Sequence, residues 1–336
     1  MKKIARIMLS TFVVLALVVC ITPVVMANGQ GENSSDGVVN LKLSHSAAET
    51  HRYHKAALKF KEEIEKRTNG RYTITIFPLN QLGTQEEVTE AVQLGTIDIA
   101  ITSDDKLMTL VPDFSVLGMP FLFRDYDHAY STLNGEVGDL LSKKLEEKNV
   151  MVISWLENGF RQITNNRQPI FSPEDLNGLK IRVSTSKANM LFFNTCGAAS
   201  TNITTSELYT ALQLNTVEAQ ENPLANIIDK KLYEVQKYLS ISGHVHTAEP
   251  MIMSKSTFDS LSPEDKKIFL EVGREVSQWA FDDAKNSFDE NIEALKIKGM
   301  EVNYIDPSRF NDVVDAVYNE YGKQYSDLIN KIKANK

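Results

Sequence analysis

One short stretch of this chain occurs twice. Ala91-Val-Gln-Leu-Gly-Thr-Ile-Asp98 returns as Ala211-Leu-Gln-Leu-Asn-Thr-Val-Glu218. Each copy follows a capping-box pattern at the same distance before its alanine, Thr84-Gln-Glu-Glu87 in the first and Thr204-Thr-Ser-Glu207 in the second. A threonine hydroxyl that takes a first-turn amide, with a glutamate reaching back to the cap, opens a helix. Gly95 and Asn215 stand where each helix must stop, and both residue types tolerate the left-handed backbone that ends helices. Strand-like runs follow at 97–101 and 216–219. Chance likeness between two helix–strand units is one explanation. Two α/β lobes of like construction is the other, and we favour it.

The rest of the chain fits that frame. Residues 38–44 and 72–77 read as strands, the second closed by Pro78, with an amphipathic helix at 53–67 between them that carries Ala57, Phe60 and Ile64 on one face. Residues 150–155 form a buried-type strand. Ser172-Pro173-Glu-Asp175 caps a turn, and Gly178 leads into a strand at 180–183. Ser262-Pro263-Glu-Asp265 opens a helical pattern that runs toward Gly299. A helix of that length can bridge two lobes and makes each discontinuous. We expect lobe I from 40–157 and 248–285, and lobe II from 158–247 and 286–336.

The N-terminus precedes the fold. Lys2, Lys3 and Arg6 lead into an apolar run from Ile7 to Ile21, with small residues near Ala27. That order is a secretory signal over 1–27, too short for the roughly 20 residues of a spanning helix. Val19 before Cys20 argues against lipid attachment. Residues 28–39 read as a flexible polar leader. Loss of the signal removes three basic residues and no acids, which takes the net charge from -8 to -11. An acidic surface disfavours nucleic acid and anionic lipid as partners. Cys196 is the one cysteine left, so no internal disulfide is expected.

Enzyme signatures are sparse: there is no nucleophile elbow, P-loop or dinucleotide glycine fingerprint. The six histidines do not bring a zinc set with them, and no cofactor is expected. Arg182, flanked by Ile181 and Val183, points its side chain opposite those apolar neighbours. A guanidinium there enters either a cleft or a structural ion pair. Arginine stays charged and grips a carboxylate with two parallel hydrogen bonds, so a cleft arginine suits acid capture. Arg161 follows Gly159, which lets the backbone turn. Asn222 is biased toward extended geometry by Pro223. A hydrolase or lyase on this scaffold would need an acid–base pair such as Glu221 with His45.

Asn158-Gly-Phe-Arg161-Gln-Ile-Thr-Asn165-Asn-Arg167, Asp175-Leu-Asn-Gly178-Leu-Lys-Ile-Arg182-Val, Glu207-Leu-Tyr209-Thr-Ala-Leu-Gln213 and Gln220-Glu-Asn222-Pro223 occur in this order. Together they resemble the solute-binding subunits of tripartite ATP-independent periplasmic (TRAP) transporters, the DctP family, over about residues 40–330. The resemblance implies a two-lobed periplasmic-binding-protein-like α/β fold, type II-like, that closes on a small organic acid. It implies that Arg182 clamps the ligand carboxylate, that Arg161 assists and Asn222 contacts it, and that cargo passes to a large and a small membrane subunit. Sialic-acid-binding members carry other residues where His45, Ser103 and Thr205 fall, which argues against that ligand. His45, Glu49, Thr102, Ser103, Asp104 and Thr205 could bond hydroxyls, so a sugar acid or keto-sugar acid is favoured over a C4-dicarboxylate. We place Glu221 with the site as well, and expect an exported, monomeric binding protein. A sensor-associated binding protein would look the same in sequence.

Overall fold

A strand of sixteen residues, Val150–Asn165, is too long to serve one small sheet, and its pairing organises the fold. The computed structural model describes residues 37–335. The expected export signal over 1–27, Cys20 and most of the 28–39 leader lie outside the described residues. Those described form ten strands: β1 (Val39–Ser44), β2 (Tyr72–Phe77), β3 (Ile99–Ile101), β4 (Val150–Asn165), β5 (Lys180–Val183), β6 (Ala199–Asn202), β7 (Ala219–Pro223), β8 (Tyr238–Ile241), β9 (His246–Ser254) and β10 (Glu301–Tyr304).

The first part of β4 pairs antiparallel with β9, from Val150 against Ser254 to Phe160 against His246. Its end pairs antiparallel with β7 on one side and β8 on the other. One sheet therefore runs β2-β1-β3-β9-β4, and a second runs β10-β8-β4-β7-β5-β6. In the first, β1 lies parallel to β2 and β3; in the second, β5 lies parallel to β6 and β7. The two halves are alike, as the repeated stretch suggests, and the fold is a two-lobed α/β one. Register shifts where β4 passes between them, from Glu157 to Gly159. Gly159 has φ 130°, a value that side chains rarely permit, and a Cβ there would meet Pro223 at 3.2 Å. The bulge re-aims the strand just before Arg161.

The two helix–strand units end alike. Gly95 has φ 77° and Asn215 φ 54°. Thr96 N–H donates to Ala91 O at 2.9 Å, and Thr216 N–H donates to Ala211 O at 2.9 Å. Their starts differ. Thr84 forms the full capping box and the helix Gln85–Leu94 follows. The second box does not cap: Glu207 N–H donates to the Thr204 carbonyl at 3.2 Å, Thr204 Oγ1 donates to Glu207 Oε2 at 2.6 Å, and the helix begins only at Leu208. The strand after each turn begins late, at Ile99 and Ala219. Asn222 accordingly lies inside β7 rather than on a turn beyond it.

The long C-terminal pattern is two helices, not one. Pro263–Asn286 and Phe288–Ile297 meet at Ser287, whose hydroxyl accepts from Arg52 Nη2 at 3.2 Å. A side chain drawn into a helix's hydrogen-bond ladder is a known cause of a break. The break divides the packing. Phe269, Val272, Val276 and Ala280 join the core around Leu41, Phe60 and Ile101, whereas Ile292 and Leu295 join the one around Leu212, Ile227 and Leu239. A third cluster, from Ile97 and Trp155 to Ile181 and Phe192, runs between the sheets. The C-terminal helix Ser326–Ala334 turns back to the first half, where Ile332 O lies 2.8 Å from His128 Nε2. Cys196 is buried and free. No helix among the described residues is long and apolar enough to cross a membrane.

The helix Pro263–Asn286 approaches β4 closely enough that Ser154 Oγ donates to Gly273 O at 2.7 Å. A Cβ at Gly273 would stand 1.8 Å from Ile153 O, so the backbone has to part. Gly273→Ala is expected to cost about 2–3 kcal/mol, read as a lower urea midpoint with an unchanged slope.

Candidate ligand-binding site

Parallel strands present their carboxyl ends to one side of a sheet, and crevices form there. Here the ends of both sheets converge. Ser46 follows β1, Ser103 follows β3, Ser184 follows β5, and Asn222 closes β7. With Arg161, Arg182, Thr205 and Glu249 they line a narrow cavity of about 450 Å³. Residues from both ends seal one side of it. Thr185 donates to Asp105 Oδ2 through its N–H at 3.0 Å and its hydroxyl at 2.6 Å. Lys106 Nζ donates to the same hydroxyl at 2.8 Å and pairs with Glu86 at 2.7 Å.

Two arginines enter this cavity in opposite electrostatic states. Arg161, 3% exposed, is held by Glu221: Nε pairs with Oε2, and Nη2 donates to Oε1 at 3.0 Å and to the Glu221 carbonyl at 2.6 Å. Burial pushes the Glu221 carboxyl up. The Arg161 charge and hydrogen bonds from His244 and Arg161 outweigh that and bring it down to about 2. Arg182, 4% exposed, has no such partner. Its Nε donates to Ile203 O at 2.9 Å, and its Nη nitrogens make no hydrogen bond or ion pair among the described residues. Burial depresses it, with Arg161 adding to that against the pull of Glu221, to about 10. It stays charged at neutral pH. A cation buried without a counter-charge costs several kcal/mol, and its free N–H groups face a cavity that can admit an anion.

Asn222 is aligned on both sides. Its Oδ1 accepts from Arg161 Nη2 at 3.3 Å and its Nδ2 donates to Gln220 Oε1 at 2.5 Å. Gln220 in turn donates to Thr164 Oγ1 at 2.7 Å, and Thr164 to Gln236 Oε1 at 3.0 Å. Of the residues singled out in the sequence, Arg182, Arg161, Asn222, Ser103 and Thr205 line the cavity. His45, Glu49 and Glu221 do not. The His45 ring turns to His54, 3.1 Å away, and burial with that neighbour lowers it to about 4. Glu49 is exposed at the turn before the first helix. Glu221 is committed to Arg161 and to Ser184 N–H at 3.1 Å. Asp104, also raised earlier, bonds Ala248 N–H at 3.0 Å behind the wall.

The sequence reading missed Gln85, Asn158, Lys230 and Glu249, which also line the cavity. Glu249 carried a signal: it is the lone charge in β9, between Ala248 and Pro250 in an otherwise apolar stretch. A wider crevice of about 1000 Å³ lies beyond Lys106 and Thr185, against Pro112, Tyr321 and Tyr325. It has no buried, unpaired charge to recognise a ligand. Among the described residues no group of His, Cys, Asp or Glu is arranged to hold a metal ion.

Residues 43–324 match the family model for bacterial extracellular solute-binding proteins, family 7 (DctP). The chain belongs to this family. It is 34% identical over 299 residues to the 2,3-diketo-L-gulonate-binding periplasmic protein YiaO of Escherichia coli, a match that covers 89% of each chain. A TRAP periplasmic solute-binding protein from Polaromonas bound to D-erythronate superposes with a TM-score of 0.85 at 37% identity, over 89% of this chain and 99% of that one. One from Bordetella bronchiseptica, with density assigned to pantoate, gives 0.86 at 35% over the same shares. The protein is thus a solute-binding protein of a TRAP transporter, not an enzyme.

Glu221 is more acidic folded than its ordinary value of 4.5. The stability it contributes is complete above about pH 4.5 and lost as pH falls toward 2. Glu221→Gln is expected to flatten that acid limb in urea titrations. At pH 7 it should cost about 3–5 kcal/mol, because Arg161 is left buried without its anion.

Proposed function

We propose that this protein captures a small sugar acid outside the cytoplasmic membrane, with Arg182 as the carboxylate clamp, and hands it to a membrane permease pair. The observation that carries this reading is the Arg182 guanidinium, buried at a strand end with its Nη groups unpaired and facing the cavity. A ligand carboxylate there makes two parallel charge-assisted hydrogen bonds and removes the cost of the lone buried cation. Arg161 and Asn222, already locked together, present the neighbouring donors. Ser103 and Thr205 offer hydroxyls to the rest of the ligand. His45 and Glu49 take no direct part, and Glu221 acts by holding Arg161.

In this reading lobe I (40–157 and 248–285) and lobe II (158–247 and 286–336) close on the acid. The ligand favours closure by as much as it binds the closed form better. The bonds between Thr185 and the Asp105–Lys106 pair join the two lobes once shut. The cavity is complete within one chain, which supports a monomeric receptor. Cleavage after residue 27 releases it from the export signal. Relatives named for diketogulonate and bound to erythronate are consistent with a sugar acid, and others at similar identity are named for C4-dicarboxylates, so the preference rests on the hydroxyl-bearing lining.

Isothermal titration calorimetry against uronates, aldonates, keto acids and dicarboxylates tests the ligand class. A cognate acid at about 100 times its Kd should add about 2.7 kcal/mol to stability in a thermal melt. With that acid, Arg182→Lys is expected to weaken binding by about 2–4 kcal/mol, since a point charge replaces the two-pronged fork. Affinity equal to wild type would remove the clamp from the reading.

A further inference from the structure

The cavity holds a second buried charge-bearing group without a counterpart. Glu249 on β9 is 1% exposed and pairs with no lysine or arginine among the described residues. Two amides hold it: Gln85 Nε2 donates to Oε1 at 2.7 Å and Asn158 Nδ2 donates to Oε2 at 3.2 Å. Those amides are fixed in turn. Gln85 also donates to Ser46 Oγ at 3.0 Å, and Asn158 Oδ1 accepts from Asn226 Nδ2 at 2.9 Å. The cavity thus has a cation at Arg182 and an acid at Glu249, neither in an ion pair among the described residues, although Lys230 lies near enough to feel the Glu249 carboxyl.

The groups around Glu249 keep it so. Asp104 and Asp105 add negative field from the helix beside it, and Tyr53 stands against it from the first long helix. Arg52 on that helix is taken by Asp283 at 2.7 Å, and Lys230 lies 3.8 Å from Asp229. On β4, Arg161 is taken by Glu221, and Glu157 by His246 at 2.8 Å. Lys106 is committed to Glu86 and Thr185.

We propose that Glu249 is the specificity-determining residue of this cavity, accepting a ligand hydroxyl and turning away acids that carry a second carboxylate. The proposal rests on the acid-capture reading above and deepens it. A hydroxyl on the ligand's chain can donate to a Glu249 oxygen and accept from the amides that hold it. A second carboxylate cannot donate, and it meets the field of Asp104 and Asp105 behind Glu249. Rejection should sharpen with pH. Burial first, then Asp104 and Asp105, push the Glu249 carboxyl up to about 8. Below that value it holds a proton and can still bond a carboxylate; above it the repulsion is between full charges.

Two matched pairs test this, since each differs only in a terminal CH2OH or carboxylate: D-erythronate with meso-tartrate, and D-gluconate with D-glucarate. Kd is measured for all four by calorimetry from pH 6.5 to 9.5. In the wild-type protein the hydroxy-terminated member of at least one pair should bind at least 10-fold tighter at pH 9.5, where Glu249 is ionised. The ratio should grow up to about 10-fold per pH unit above about 8. Glu249→Gln, which keeps the shape and loses the ionisation, should cut that ratio at least 5-fold and abolish its growth with pH. If Glu249→Gln does not fold, the wild-type pH series alone decides. A hydroxy acid that binds with a ratio near one, or flat with pH, or unchanged in Glu249→Gln, overturns the role of Glu249 and leaves the Arg182 clamp standing. Failure of all four acids to bind overturns the sugar-acid reading and this proposal with it.

Discussion

Arg182 is a full positive charge placed where water barely reaches and where, among the described residues, no carboxylate pairs with it. That arrangement opposes folding, and the rest of the site is arranged to keep it. Glu221 is the nearby acid that could neutralise it, but Arg161 holds both oxygens of that carboxylate. The electrostatics agree. Glu221 lifts Arg161 above its ordinary value against the effect of burial, whereas burial prevails at Arg182. Had Glu221 faced Arg182 instead, the clamp would be satisfied internally and an incoming acid would have to break a buried ion pair. Arg161 keeps the second arginine open by occupying Glu221, while Asp105, which also acts on both arginines, is bonded to Thr185.

Keeping such a group aimed requires stiff surroundings, because side chains that must be ordered on binding lower affinity. β5 supplies this. Ile181 and Val183 are fully buried on one side of the strand, and Nε is tied to Ile203 O on the other. Asn222 is fixed by a relay through Gln220, Thr164 and Gln236 that runs across β7 and β4. Each side of the cavity is therefore stiff in itself. What is left to move is the distance between the two sheets, which β4 crosses as a continuous strand.

How much of this could be read from the sequence follows from the range of the interactions concerned. Elements set by near neighbours were legible. Thr84 and Glu87 form their box, Gly95 and Asn215 take the left-handed turn, and Arg182 stands opposite Ile181 and Val183 in β5. Features settled by contacts far along the chain were not. The second capping box failed where the Glu207 N–H turned to the Thr204 carbonyl in place of its hydroxyl, a choice the residue pattern does not record. The break falls at Ser287, where the hydroxyl donates back to Ala284 O and Arg52, distant in sequence, reaches the same hydroxyl. The assignment of Glu221 to Arg161, and so the difference between the arginines, depends on the register of β4 against β7. Periodicity carries no trace of that register. His45 looked available because the chain gives no sign that His54 lies across from it.

The two unpaired charges, considered together, account for a cavity with so much polar wall and so little apolar surface. An isolated buried cation attracts any anion, and an isolated buried acid any donor, so neither alone is selective. Lining one narrow space together, they favour a guest that brings a carboxylate to one and a donor to the other. A guest with only the first leaves Glu249 buried with its remaining hydrogen-bonding capacity unused, and an unmet buried polar group costs about 1–3 kcal/mol. A guest with two carboxylates satisfies Arg182 and, once Glu249 is ionised above about pH 8, meets repulsion there. Selectivity then comes less from added attraction than from penalties that the wrong guest cannot relieve. The amides on Glu249 matter for the same reason: Gln85 and Asn158 hold it in place without contributing the positive charge that would cancel it.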